Sequence, residues 1–380
     1  MLPMITVHEP FSEDEPSFAA RLRRSLARRL ASRSRAGSAQ LQAPRLVGDG
    51  HQPVAWARLR APLEGFKAAV FAANAEADSN DGVLPDATRD RIVEQFHGFC
   101  ALLNEVLLDD MDGQEHEELA AWLQRELLPY LLLTETAQRW YTKPRGYPGD
   151  FLTLEMVYRN EPDGRHAIGW LVDHCFLDVA AAHAVRHRRG LLAEEIAATV
   201  AARGGDTARV SSLACGPARE VFDAFSQLDD PTILHVNLLD IDPQALAFVA
   251  ERAGAGGLEA QVSLISDNLL RLAVGRCGSD IHDQDLVYSI GLIDYLKDGM
   301  VVRLMDLIHG MLRPGGRIIL GNFHPSNATR GLMDHVLDWK LVHRTEADMD
   351  RLFEASAFGR PATRIRFEER GINLFAECVR

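Results

Sequence analysis

The sequence predicts an α/β protein: a doubly wound parallel sheet in the C-terminal half, preceded by a helical region. Three observations predict it. After residue 205, short apolar runs alternate with helix-length amphipathic segments, the rhythm of a parallel sheet with helices on both faces. From about residue 52 to 205, apolar residues recur at three- and four-residue intervals with no alternating signal, the pattern of packed helices. Inside that helical stretch, WYTKPRGYPGDFLTLEMVY at residues 140–158 carries Pro144, Gly146, Pro148 and Gly149, which forbid a continuous helix.

Taken in order, the first element is residues 1–50, where RLRRSLARRLASRSR precedes a Gly/Ser/Ala/Pro-rich linker. Leu22, Leu26 and Leu30 fall at helical spacing, so the segment reads as a basic amphipathic helix or, as charge runs more often are, a flexible solvated tail. Residues 51–205 form the helical region, with helices over 54–75, 87–109, 115–139 and 176–203. The loop at 140–158 presents Trp140, Tyr141, Lys143, Arg145 and Tyr147, and Asp150 stands where it can cap the helix that follows. Residues 206–380 form the sheet domain, with strands expected at 208–214, 233–240, 260–265, 284–290 and 316–322 and helices at 217–228, 243–253 and 298–312.

Composition narrows the function. With 41 Lys+Arg against 54 Asp+Glu in 380 residues, the acidic balance excludes a general nucleic-acid-binding role. No apolar run approaches the roughly 20 residues of a membrane span, so a cytoplasmic protein without integral membrane association is expected. Cys100, Cys175, Cys215, Cys277 and Cys378 show no CxxC spacing, which favours reduced thiols over disulfides or a zinc site. No metal is expected.

In a parallel sheet the ligand sits beyond the carboxyl ends of the strands. The first end reads LACGPARE, where Gly216 lets backbone approach a ligand closely. The second reads HVNLLDIDPQAL: Asp240 closes the strand and is placed to accept two ribose hydroxyls, while Asp242 competes for that role or caps the helix opened by Pro243. The third reads LISDNLL, with Asp267 and Asn268. Each acid alone reads equally well as a helix cap; three at successive strand ends are more specific.

LACGPARE, LLDIDPQAL, SDN, DLVYSIGLIDYL and LRPGGRIILGNF together resemble the class I S-adenosylmethionine-dependent methyltransferases, a Rossmann-like fold, over about residues 205–380. A dinucleotide oxidoreductase would carry GxGxxG after its first strand, which this chain lacks. The resemblance implies S-adenosyl-L-methionine as cofactor, with Gly216 at its methionine part, Asp240 on the ribose, Asp267 at the adenine and Asn268 beside it. Arg219, Ile241 and Ser289 complete the implied cofactor contacts. Ala214 departs from the class, where glycine or a nearby acid is common. KPRGYPGDF joined to LACGPARE is similar to the bacterial 3-hydroxypalmitic acid methyl ester synthase group, whose product is a quorum-sensing factor. That likeness implies a lid over the cofactor, with Arg145 and Tyr147 in the active cleft; the residues expected to bind a small-molecule substrate are Arg145 and Tyr141. Azetidine-2-carboxylate synthases also resemble this group, so a cyclase that releases methylthioadenosine is the alternative, and a non-catalytic cofactor-binding protein a lesser one.

Methyl transfer needs an in-line approach of about 3 Å with water excluded. Aromatic faces favour a sulfonium, and among Trp140, Tyr147, Tyr288, Tyr295 and Phe323 the expected catalytic pair is Tyr147 and Tyr295. A carboxylate acceptor needs no base and Arg145 would orient it. A hydroxyl or amine acceptor needs a base, for which His324 in GNFHPSN is the candidate, with Asp294 and His335 weaker ones on the same rim; the plainer role of His324 is a loop hydrogen bond.

Overall fold

The computed structural model describes residues 6–7 and 54–380, apart from 81, 108–110 and 276–280. The arginine-rich segment with Leu22, Leu26 and Leu30, the linker and Cys277 lie outside the described residues. Seven helices come first: α1 (Val54–Ser79), α2 (Asp86–Val106), α3 (Gly113–Leu131), α4 (Thr136–Thr142), α5 (Phe151–Arg159), α6 (His166–Leu177) and α7 (Ala180–Ala202). The expected helix at 115–139 is two helices. Thr134 breaks it, its hydroxyl accepting from Ala137 N–H at 2.9 Å and so offering the backbone a cap in place of another turn. The expected helix at 176–203 likewise joins the end of α6 to α7 across Asp178 and Val179.

The sheet follows. Strands β2 (Ala208–Leu213), β3 (Leu234–Asp240), β4 (Val262–Ser266), β5 (Gln284–Ile290) and β6 (Leu312–Phe323) run parallel, with β7 (Arg364–Phe367) and β8 (Asn373–Val379) completing one edge. Strand β1 (Thr6–Val7) pairs with β4, and the order is β1-β4-β3-β2-β5-β6-β8-β7. Strand β8 is antiparallel to both neighbours. Helices α8 (Arg219–Ser226), α9 (Pro243–Ala255), α10 (Leu269–Ala273), α11 (Asp298–Met311) and α12 (Glu346–Ala355) connect the strands. The doubly wound α/β class expected from the sequence is the one observed. Strand β6 is longer than expected, and β7, β8, α10 and α12 are additional to the sequence reading.

Strand order reverses at β2, which lies between β3 and β5, and that switch point opens a crevice at the carboxyl ends of the strands. Two apolar clusters cover the two faces of the sheet, one centred on Val210, Val236 and Val249, the other on Val287, Ile308 and Leu320. A third fills the helical half around Phe66, Phe96 and Phe176, and includes Phe323, Leu332, Met333, Val336 and Leu337 from beyond β6. The segment after β6 therefore crosses from the sheet into the core of the helices. Among the described residues no single helix is long and apolar enough to cross a membrane.

One close approach ties α6 to the end of α3. Arg165 N–H donates to Leu133 O at 2.8 Å, and a Cβ on Gly169 would stand 2.5 Å from that same oxygen. Gly169→Ala is expected to cost about 1–3 kcal/mol, as overpacked sites do, and the urea midpoint of the folded chain reads it; an unchanged midpoint would show that the junction yields.

Candidate functional site

A cavity of about 190 Å³ opens at the switch point, between the strand ends and the helices. Its polar side is made of Ala214, Gly216, Asp240, Ile241, Asp267 and Asn268. The loop after β2 reaches it through three left-handed residues, Ala214 (φ 55°), Gly216 (φ 55°) and Ala218 (φ 47°). A left-handed alanine costs roughly 1–2 kcal/mol, so the position where this chain departs from the class is one where glycine would be relaxed. The twisted loop turns Gly216 N–H onto Asp240 Oδ2 at 2.9 Å. Asp242 N–H donates to Asp240 Oδ1, also at 2.9 Å. These two bonds aim a buried carboxylate, 7 % exposed, at the cavity wall. Burial raises the Asp240 pKa above its ordinary value against the pull of both N–H donors, and each oxygen keeps lone-pair capacity for a ligand hydroxyl.

Asp267 accepts from Asn268 N–H at 2.6 Å, and Asn268 caps α10 by accepting from Leu270 N–H at 3.0 Å. The other side of the cavity is apolar. Val157 of α5, Val179 just before α7, and Ala181, Ala182 and Val185 of α7 face Phe323, Met333, Leu337, Trp339 and Leu341 from beyond β6. Trp140 lines it too and meets Trp339 edge to face, 6.1 Å between centroids.

The proline-glycine loop closes over this cavity. Lys143 is left-handed (φ 47°), ending α4, and Gly146 and Gly149 follow at φ 85° and 73°. Asp150 caps α5, accepting from Leu152 and Thr153 N–H at 3.1 and 3.2 Å. The loop is clasped to the sheet by Asp242. Arg145 donates Nε to Asp242 Oδ2 at 2.7 Å and Nη2 to Oδ1 at 2.5 Å, and Nη1 reaches Gln244 Oε1 at 2.5 Å. Tyr147 donates its hydroxyl to Asp242 Oδ2 at 3.2 Å. Asp242 also caps α9, accepting from Gln244 N–H at 3.0 Å.

These contacts assign several expected site residues elsewhere. Arg145 spends its guanidinium on Asp242 and Gln244 and is not among the residues that line the cavity. Arg219 is held by the Glu155 carboxylate of α5, Nε to Oε2 at 2.8 Å, away from the cavity. Ser289 is fully buried and donates to Leu213 O at 2.8 Å, bracing β5 on β2. Tyr141 packs against the helical core. His324 is bound to the Ser326 hydroxyl at 2.7 Å and lies 3.3 Å from Glu346; it is outside the cavity wall, in the loop role, and is not positioned as a base. His335 lies beside His116 at 3.4 Å, with burial pushing its pKa down to about 4. Tyr288 donates to Glu220 at 2.8 Å beneath the sheet surface.

Tyr147 and Tyr295 do line the cavity. Burial first, and then the charges of Asp240 and Asp242, push the Tyr147 phenol well above its ordinary pKa; burial followed by the Asp294 charge does the same to Tyr295. Both are neutral at physiological pH, so they act as ring faces or hydrogen-bond donors and not as bases. Tyr295 accepts from Trp339 Nε1 at 2.9 Å. Gly149 permits this packing, since a Cβ there would lie 3.2 Å from both the Tyr295 hydroxyl oxygen and the Trp339 ring.

Two cavity groups went unread or underweighted in the sequence. Arg188 of α7 is only 4 % exposed, yet it sits within HAVRHRRG, which reads as a surface charge run. Asp294 lines the cavity and accepts from Phe323 N–H at 2.7 Å. Only the acidic residue after the fourth expected strand signalled it.

The comparisons fit this geometry. The family described as "Putative methyltransferase" matches residues 147–376, well over half of the chain. A structure from Bordetella parapertussis described as a possible exported protein shares the fold, with a TM-score of 0.53 at 17 % identity over 78 % of this chain and 99 % of that one. Magnesium protoporphyrin IX methyltransferase from Synechocystis PCC 6803 with bound SAH is a more distant likeness, TM-score 0.43 at 14 % identity over 60 % and 94 %. Among curated proteins, the uncharacterized protein YnbC of Escherichia coli K12 is 25 % identical over 239 residues, 60 % of this chain. The chain spans 40 % of the length of that relative.

Two predictions follow from the clasp and from Asp294. Asp242→Ala strands Arg145 beside a cavity, which for a buried pair costs about 3–5 kcal/mol. Unfolding in urea and the rate of proteolytic cutting at 143–149 measure it, Asp242→Asn being the milder change. Burial holds Asp294 up to about 6 from an ordinary 3.8. A carboxyl whose pKa is raised on folding binds its proton more tightly when folded, so its penalty is absent below the unfolded pKa and complete above the folded one. Asp294→Asn should therefore gain on the wild type between about pH 4 and about pH 6 by on the order of 2 kcal/mol and hold that gain above it; a stability difference that is flat with pH would refute the assignment.

Proposed function

The chain belongs to the family described as "Putative methyltransferase", and from that premise we propose that it is an S-adenosyl-L-methionine-dependent methyltransferase acting on a small molecule. One observation carries the reading: a buried carboxylate at the end of β3, braced by the backbone of the loop after β2, faces a cavity whose far wall is apolar. The donor set fits the cofactor. Asp240 offers acceptor oxygens suited to a ribose diol, Gly216 gives close backbone approach, and Ile241, Asp267 and Asn268 flank the place for the adenine. S-adenosylmethionine, when bound, supplies an electrophilic sulfonium methyl group.

The chain's own residues do the rest. Tyr147, Tyr295, Trp140 and Trp339 surround the reacting region with neutral aromatic faces, which favour a cation and exclude water. The Asp242 clasp holds the loop at 143–149 over the cavity, so the substrate is oriented by a closed wall. With His324 turned to Ser326 and Glu346, no histidine serves as base. An acceptor that is already anionic, such as the carboxylate of a hydroxy fatty acid or of another small metabolite acid, needs none. The aliphatic wall of α5, α7 and the segment after β6 supports an acceptor with an apolar body.

Purified protein incubated with S-adenosylmethionine alone, and then with 3-hydroxy fatty acids and other small acids, decides this by mass spectrometry. S-adenosylhomocysteine together with a methyl ester, appearing only with an acceptor, is the expected outcome. Methylthioadenosine with azetidine-2-carboxylate from the cofactor alone would replace the reading by a cyclase. Turnover of His324→Ala within about twofold of wild type is expected, since removal of a working base costs far more.

A further inference from the structure

The cavity holds one cation that the proposed reaction has not used. Arg188 projects from the same face of α7 as Val185, three residues earlier, so the guanidinium stands at the foot of the apolar wall, where that wall meets the strand ends. It is 4 % exposed. Gly291, just past β5 and left-handed at φ 86°, lets it lie against the backbone: a Cβ there would be 3.3 Å from Nη1 and 3.6 Å from Nη2. Among the described residues Arg188 makes no ion pair with a carboxylate.

No neighbouring acid pairs with it directly. The Tyr158 hydroxyl is its hydrogen-bond neighbour and is itself buried. Glu220 is the nearby acid of α8, but it is bound by the Tyr288 hydroxyl at 2.8 Å and burial raises its pKa. Asp294, which lines the same cavity, attracts it electrostatically and accepts from Phe323 N–H. A guanidinium keeps its charge in any protein, and burying one without a close counter-ion costs several kcal/mol. That cost is recovered when a ligand brings the missing anion. A planar fork is the complement of a carboxylate, bound through two parallel N–H bonds. With Arg145 and Arg219 both committed elsewhere, a single positive charge matches a single negative one, a carboxylate in preference to a phosphate.

We propose that Arg188 is the carboxylate receptor of the cavity, an inference that rests on the methyltransferase reading. Two ligands of that reaction carry the group: the methionine tail of the cofactor and an acid acceptor. Wild-type protein and the Arg188→Gln and Arg188→Lys variants are titrated calorimetrically with S-adenosylhomocysteine and with its decarboxylated analogue. In parallel they are titrated with hexadecanoate and with methyl hexadecanoate. A preference of at least about ten-fold for the carboxylate-bearing member of one pair, lost in Arg188→Gln and partly kept in Arg188→Lys, is expected, as charged hydrogen bonds give. The pair that shows it identifies the source. No preference in wild type for either acid, or a preference that survives in folded Arg188→Gln, overturns the proposal. Should Arg188→Gln not fold, the wild-type pairs and Arg188→Lys still decide. Wild type that binds neither adenosyl compound refutes the methyltransferase reading itself, while the hexadecanoate pair continues to test Arg188.

Discussion

The site depends on Asp242. Its backbone N–H steadies Asp240, one carboxylate oxygen caps α9, and both oxygens receive Arg145, with Tyr147 donating to one of them. Three separate requirements meet in one side chain: the helix must start, the ligand-facing acid must be aimed, and the loop must be shut. Because Asp242 is almost wholly buried, these bonds act in a low dielectric, where each is stronger and where losing one partner is more costly than in water. The left-handed alanines of the loop after β2 and the left-handed Lys143 at the start of the 143–149 turn are held by the contacts around this node.

Around that node the cavity divides its chemistry by origin. The sheet supplies acids and backbone donors at the ends of β2, β3 and β4. The helices and the segment after β6 supply aromatic and aliphatic walls. Arg188 and Asp294 lie on the boundary, the only described cationic and anionic side chains of the cavity outside the strand-end set. An apolar wall raises the influence of those few charges, since little water is present to screen them. Specificity in such a site comes from where the charges stand and hardly at all from the number of hydrogen bonds.

Much of this was legible in the chain. Apolar runs followed by Gly216, Asp240 and Asp267 mark strand ends because a sheet buried on both faces must read as continuous hydrophobic segments that stop abruptly. Pro243 and Asp150 signal helix starts by chemistry that is local. What was not legible depends on contacts distant in sequence. Arg145 looked like a free cation because its partner is 97 residues away, and Arg219 looked like a ligand contact because Glu155 is 64 residues away. Arg188 went unread, since periodicity cannot tell which arginine of a cluster turns inward. Strand β7 is short, charged and at the sheet edge, so its alternation is weak. His324 was read from its position in the chain alone, and its bond to Ser326, two residues on, decides its orientation.

The chain after β6 has a consequence for how this architecture can diversify. Phe323, Leu332, Met333, Val336 and Leu337 belong to the helical core, and Lys143 of the closing loop donates to Leu337 O at 2.7 Å. The helical core is thus stitched from two stretches of chain, one before β2 and one after β6, and it cannot be exchanged as a cassette. Grafting another helical region onto this sheet would require the segment 323–341 to travel with it. Changes in the shape of the apolar wall should accordingly arise through paired substitutions on α7 and in that segment, while the strand-end side of the cavity stays constant.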